Sequence, residues 1–207
     1  MPRITDERRE ARREQILEAA RACLQEHGLE AVSMEMIIAR SGLSTGAVYG
    51  YFIGKDQIIN AVITEGTAAM AEHLAPVLTN PEPPPPAEFV EQLLRAIARF
   101  GRHKKGDIDR LLVSLHGWSH SQSNPDLRKA TNAAYAGLRK RFRDVAQRWQ
   151  ATGTLAADTN PDAMAQLLTT ITLGFVAQRA LAGSADLAAH VAALKSLAGR
   201  VPISGAR

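Results

Sequence analysis

Cysteine is almost missing: Cys23 stands alone in 207 residues, so an internal disulfide is excluded and a reducing compartment fits. Aromatic residues are scarce at 5%, while the apolar fraction is an ordinary 45%. A core must therefore be built mainly from aliphatic side chains, and a composition rich in Ala and Leu favours helices over strands. No run of about 18 apolar residues occurs, so no membrane span is expected. The opening MPRITDERREARRE is charged where an export signal would be apolar. A cytoplasmic protein without a membrane partner is the expectation. A nucleophile elbow, a phosphate loop, a metal cluster and a supported carboxylate pair are also lacking, so neither an enzyme nor a cofactor is expected. Two-residue alternation and fixed-period repeats are absent as well, which leaves an all-α chain.

The formal net charge of +4 suggests nucleic acid, but its distribution argues against that shortcut. Residues 1–60 carry eight Lys/Arg against nine acids, a net of −1, whereas residues 91–152 carry thirteen against five, a net of +8. Any DNA reader in the first part must work through a few well-placed donors rather than bulk charge.

Apolar spacing lays out about nine helices. The first runs from about Asp6 to His27 with Ile16, Ala20, Cys23 and Leu24 as its stripe, and Gly28 ends it. Arg3, Arg8, Arg9, Arg12 and Arg13 at its start are candidates for phosphate contact, with interleaved Glu7, Glu10 and Glu14 favouring a solvated arm instead. Two short helices follow, then a long one from Lys55 to about Leu78. PEPPPP at residues 81–86 is a stiff spacer. Further helices are expected over about Ala87–His103, Ile108–Ser121, Pro125–Ala151, Pro161–Gly183 and from Ser184 to about Gly199. Asn124-Pro125-Asp126 and Asn160-Pro161-Asp162 are the strongest starts: a capping Asn, Pro at the first position and an acid in the first turn.

The stretch SMEMIIARSGLSTGAVYGYFIGK, residues 33–55, organises the rest. Ser33 is a plausible N-cap, Gly42 can take the left-handed conformation after the first short helix, and Ser44 can cap the second, which carries Val48 inward. Two helices joined by a tight turn containing Gly form the helix-turn-helix pattern, whose second helix lies in the major groove. Val32-Ser33, Ile38-Ala39, Gly42-Leu43-Ser44, Gly46, Val48-Tyr49, Tyr51-Phe52 and Lys55-Asp56, with the GLEAVSM approach, resemble the TetR family of bacterial transcriptional regulators over about residues 10–60. Beyond residue 60 the likeness is architectural. The stretch from Trp118 through Leu127-Arg128 and Gly153 to Gly174-Phe175 resembles the C-terminal domain of betaine-inhibitor-like members.

The resemblance implies a three-helix DNA-binding domain at residues 1–54 and a helical ligand-binding and dimerisation domain at 55–207. It implies DNA contacts for Ser33, Ser44, Thr45, Gly46, Ala47, Tyr49, Tyr51 and Lys55. Thr45 is the best base reader, since its hydroxyl and methyl both suit base edges. Gly46 permits close backbone approach, and Val48 and Phe52 are core. Glu35 departs from the pattern: it either favours the helix dipole or accepts from a cytosine amino group. The implied protein is a homodimeric repressor on a palindromic operator, released by a small-molecule effector. Leu168, Ile171, Phe175, Leu194 and Leu197 are the expected dimer anchors. Met70, Phe100, Leu115, Trp118 and Phe175 are pocket candidates, with ordinary core as the competing reading for each. His116 and His120 stand at i, i+4, but HGWSH lacks the glutamate of a zinc motif, so no metal is expected. The rivals are a helical interaction adaptor and a non-metal helical enzyme.

Overall fold

In the computed structural model, residues 5–101, 110–182 and 186–198 are described, with side chains in the last stretch through residue 196. These residues form helices α1 (Asp6–Ala31), α2 (Met34–Ser41), α3 (Thr45–Tyr49), α4 (Lys55–Leu78), α5 (Pro86–Phe100), α6 (Arg110–His120), α7 (Pro125–Ala151), α8 (Pro161–Ala182) and α9 (Leu187–Ala198), and no strand lies among them. The all-α expectation holds, and the expected starts lie where the capping chemistry put them. Asn124 Oδ1 accepts from Leu127 N at 3.0 Å, and Asn160 Oδ1 from Asp162 N at 2.8 Å. The start of the last helix is corrected: Asp186 Oδ1 caps it by accepting from Ala189 N at 3.0 Å. Ser184, the residue expected to do so, lies outside the described residues. The first helix closes near its expected end, with non-helical Gly28 (φ 74°) interrupting α1.

The chain divides into two compact units. The first takes the described residues of Met1–Ala69 and His103–Asn132, and the second those of Met70–Arg102 and Ala133–Arg207. Helices α4 and α7 contribute to both.

Unit 1 has a continuous aliphatic core. Ile16, Leu17, Ala20 and Leu24 of α1, Ile37 of α2, Val48 of α3 and Ile58, Ile59 and Val62 of α4 are buried together, joined by Val113 of α6 and Leu127 of α7. Each of the Ile, Leu and Val side chains contributes about 1.5–3 kcal/mol when removed from water. That burial matters most for α3, whose five residues would not hold a helix alone. Polar groups then fix the packing. Gln15 donates to the carbonyl of Ser41 at 2.7 Å, and Arg40 pairs with Glu26 at 2.6 Å. Arg13 pairs with Glu65 of α4, and its guanidinium lies 5.8 Å from the centre of the Phe52 ring. One of the arginines expected to meet phosphate is thus engaged in holding α1 to α4.

Helix α6 approaches α4 closely at Gly117. A Cβ there would stand 2.8 Å from Ile63 Cγ2, well inside contact distance, so only glycine lets the two helices meet as they do. Just beyond, the capping Asn124 also donates through Nδ2 to Asn60 Oδ1 at 3.1 Å. His116, also on α6, is partly buried, and burial pushes its imidazole below the ordinary value.

Unit 2 concentrates its aromatics. Phe89 meets Trp149 edge-on at 5.2 Å and Phe142 at 6.4 Å between ring centres, and all three are fully buried. The Trp149 indole donates to the Pro84 carbonyl at 2.8 Å, so the proline spacer is anchored as well as stiff. Part of the basic excess is engaged here. Arg141 and Arg148 of α7 donate to the carbonyls of Ala71 and Leu78, at 3.3 and 2.8 Å, on either side of the helix-interior Pro76. Arg143 pairs with Asp162 at 2.6 Å, and Arg95 and Lys195 share Glu91. These cations stitch helices together.

Candidate nucleic-acid interface

The site begins with two serines. Ser33, in extended backbone before α2, accepts from Met36 N at 3.3 Å, and Ser44 before α3 accepts from Ala47 N at 3.3 Å. Each satisfies an amide that its helix cannot, worth about 1 kcal/mol. Between the helices Gly42 adopts φ 66°, a left-handed position that side chains resist, and its amide closes on the Ala39 carbonyl at 3.4 Å. Ser41, itself buried, donates through Oγ to Ile38 O at 2.9 Å and accepts from Leu43 N at 3.3 Å. The turn is therefore held by side chains as well as by backbone.

Helix α3 has one face in and one face out. Val48 is fully buried and Phe52 nearly so, while Ser44, Thr45, Gly46 and Tyr49 are exposed and Ala47, Tyr51 and Lys55 are half-buried. The expected contact residues on α3 and its flanks thus form one continuous, accessible segment. A Cβ at Gly46 would meet nothing within 4 Å, so the fold itself does not ask for glycine there. After α3 the chain turns sharply. Tyr51 N and Phe52 N both donate to Val48 O at 3.0 Å, and Ile53 N donates to Gln57 Oε1 at 2.8 Å. Sequence reasoning missed Gln57. Its signal was the glutamine three residues into α4, where such a side chain reaches back to the helix entrance.

Ser33 and Glu35 belong to α2 and its cap. Glu35 is exposed, and a hydrogen bond from Ser33, aided by its own backbone amide, holds the carboxyl below the usual carboxylate range. The Ser33 hydroxyl is therefore engaged twice within the free protein. Nearby, the Arg40 guanidinium keeps the Glu26 carboxyl low, and burial pushes the Cys23 thiol up, so Cys23 is a core side chain.

The five pocket candidates fall in two places: Leu115 and Trp118, both half-buried, in unit 1, and Met70, Phe100 and Phe175 in unit 2. Phe175 is joined instead by two expected dimer anchors. Ile171, Phe175 and Leu194, with Leu94, Gln178 and His190, line an open groove of about 310 Å³ on α5, α8 and α9. Leu168 and Phe175, each 2% exposed, are enclosed within the protomer, which corrects them from dimer anchors to core side chains, and the side chain of Leu197 lies outside the described residues. Among the described residues no three His, Cys, Asp or Glu side chains gather as metal ligands, and no helix is long and apolar enough to cross a membrane.

Comparison with known proteins agrees with this layout. Residues 16–62 match the family model for bacterial regulatory proteins of the tetR family, and residues 86–201 match that for the C-terminal part of BetI-type transcriptional repressors. The chain is 27% identical over 186 residues to the HTH-type transcriptional repressor AcnR of Corynebacterium diphtheriae, covering 90% of each. It is 24% identical over 191 residues to the HTH-type transcriptional regulator UidR of Escherichia coli K12, covering 91% of this chain and 92% of the relative. Among solved structures, Salmonella enterica GusR superposes with a TM-score of 0.69 at 22% identity, over 93% of this chain and 96% of the other. A transcriptional regulator from Pseudomonas aeruginosa PAO1 superposes with a TM-score of 0.73 at 20% identity, over 92% and 90%. At such identities the structures attest the fold, and the family models carry the assignment.

Proposed function

Because the chain belongs to the tetR family of bacterial regulatory proteins, and is thus a DNA-binding transcriptional regulator and not an enzyme, we propose that it acts as a homodimeric repressor whose hold on a palindromic operator is released by a small molecule. Residues 1–54 are the DNA-reading domain in this proposal, and residues 55–207 the ligand-binding and dimerisation domain. The observation that carries it is α3, anchored by buried Val48 while Thr45, Gly46 and Tyr49 stand free on the other side. Thr45 reads base edges, Gly46 lets the backbone come close, Tyr49 and Tyr51 reach phosphates or a thymine methyl, and Lys55 adds a charged phosphate contact. Ser44 and Ala47 shape the start of the helix, and Ser33 meets phosphate once its hydroxyl leaves Glu35.

Two copies paired through α8 and α9 place their α3 helices about one DNA turn apart, about 34–36 Å, or a multiple of it. Ile171, Leu194 and Leu197 are the anchors of that pairing. Helix α4 runs from unit 1, which holds α3, into unit 2, so a ligand that favours another position of α4 changes the spacing and lowers affinity. Within unit 1, Gly117 against Ile63 and Asn124 against Asn60 tie α6 and α7 to that same helix.

Selection of duplexes from randomised DNA by the purified protein, followed by footprinting, tests the reading. A palindromic footprint bound by a dimer is expected. A monomer at micromolar concentration, or no enriched sequence, contradicts it. Tyr49→Ala is expected to weaken operator binding while leaving dimerisation intact.

A further inference from the structure

We propose that Ile53 is an apolar DNA reader beside Tyr49, seating against the C5-methyl group of a thymine in the major groove. The inference rests on the DNA-reading surface proposed above and adds a residue outside that set. Unit 1 buries its large aliphatic side chains thoroughly, with Ile16, Leu17, Ile37, Ile58 and Ile59 fully enclosed. Among its described residues, two large hydrophobics stay exposed: Tyr49 at 47% and Ile53 at 85%. A single apolar side chain on a surface is ordinary. Two within five positions, on α3 and the turn that follows it, make a local concentration of the kind that marks an interaction surface.

The turn gives Ile53 no structural task beyond its backbone. The amides of residues 51, 52 and 53 are all engaged, on Val48 O and Gln57 Oε1, so the chain here is fixed while the Ile53 side chain projects into water. A β-branched side chain on a fixed backbone has few rotamers to lose on contact. It carries no charge and no hydrogen-bonding group, so it suits neither a phosphate nor a base amide. The thymine methyl is the apolar feature of the major-groove edge. Continuity with α3, the reading helix, makes a duplex the occupant rather than a second protein chain.

The probe is a duplex recovered from randomised DNA by the wild-type protein, with variants in which each thymine in turn is replaced by deoxyuridine, which lacks the methyl. Ile53→Ala is expected to weaken binding about fivefold, with an unchanged slope of log affinity against log salt because no charge is lost. One deoxyuridine position is expected to weaken the wild type by a similar factor and to leave Ile53→Ala unaffected. Equal binding by Ile53→Ala and wild type overturns the proposal, as does a loss that adds fully to that of every deoxyuridine. If Tyr49→Ala loses affinity and Ile53→Ala does not, only the role of Ile53 is refuted. If the wild type enriches no duplex, the DNA-reading surface is refuted and Ile53 falls with it.

Discussion

The outer surface of α3 and the outer surface of α8 both leave large apolar side chains in water, and they differ in what surrounds them. On α3 and its turn, Tyr49 and Ile53 stand among Ser44, Thr45, Gly46 and Lys55. On α8, Leu167 at 53% and Leu181 at 75% exposure lie on a helix that also carries the groove residues Ile171, Gly174 and Phe175. The first surface mixes hydroxyls, exposed backbone and a cation with a little apolar area, a combination suited to phosphate and base edges. The second sets its aliphatic side chains beside the uncharged Thr170 and Gln178, which suits another protein surface. The lesson is that exposed apolar area alone does not name a partner; the polar groups beside it do. Salt should separate the two, since counterion release governs only the first.

The largest expected effect is on α8. Leu167→Asp combined with Leu181→Asp places charges where the proposed dimer is apolar, and both positions are exposed enough to leave the monomer folded. Light scattering should show a monomer, and operator affinity should fall by about a hundredfold or more as the two heads lose their linkage. A retained dimer would move the pairing surface elsewhere. Next, Lys55→Gln should lower affinity about tenfold and reduce the salt slope by about one phosphate contact. An unchanged slope would place Lys55 off the DNA. A third change probes the packing of α6 against α4. Gly117→Ala forces a methyl onto Ile63 and should destabilise unit 1 by about 1–3 kcal/mol in denaturant melts, with a lower transition midpoint.

The smallest effect is a pH dependence that belongs to unit 1. Burial lowers the folded-state pKa of His116 from its ordinary 6.5, so the unfolded chain takes up a proton first as pH falls. The stability contribution of neutral His116 is complete above that value and is lost as pH drops below it toward the folded pKa. In melts between pH 7 and pH 5 the wild type should lose stability relative to His116→Gln as pH falls. Parallel curves would show that His116 does not titrate with unfolding.

The two regions also differed in how far their residues announced them. Residues 33–55 were legible because each position has a local reason: caps at Ser33 and Ser44, a left-handed turn at Gly42, inward Val48 and Phe52. Local chemistry likewise placed the starts of α7 and α8 at Asn124 and Asn160. Long-range partners were not legible. Nothing in the spacing of Trp149 pointed to the Pro84 carbonyl, of Gly117 to Ile63, or of Arg13 to Glu65, because each pair is joined only by the tertiary fold. The pocket was not legible either. Apolar residues at helical spacing read the same whether they line a cavity or fill a core, and the five candidates proved to be divided between the two units. The basic excess of residues 91–152 was similarly opaque until carbonyls and carboxylates were seen to receive Arg141, Arg148 and Arg143.

The most direct test of the α3 surface uses Gly46, where the protein itself offers no opposition to a side chain. Gly46→Ala should leave the fold intact and stabilise the helix slightly, by up to about 1 kcal/mol, so any loss of binding must come from outside the chain. Titration of the selected operator duplex with this variant, at fixed salt, should show affinity at least about tenfold weaker than wild type, because the methyl lies where the backbone meets the groove. Wild-type affinity in Gly46→Ala would mean that the start of α3 does not touch DNA, and the account of this surface would be wrong.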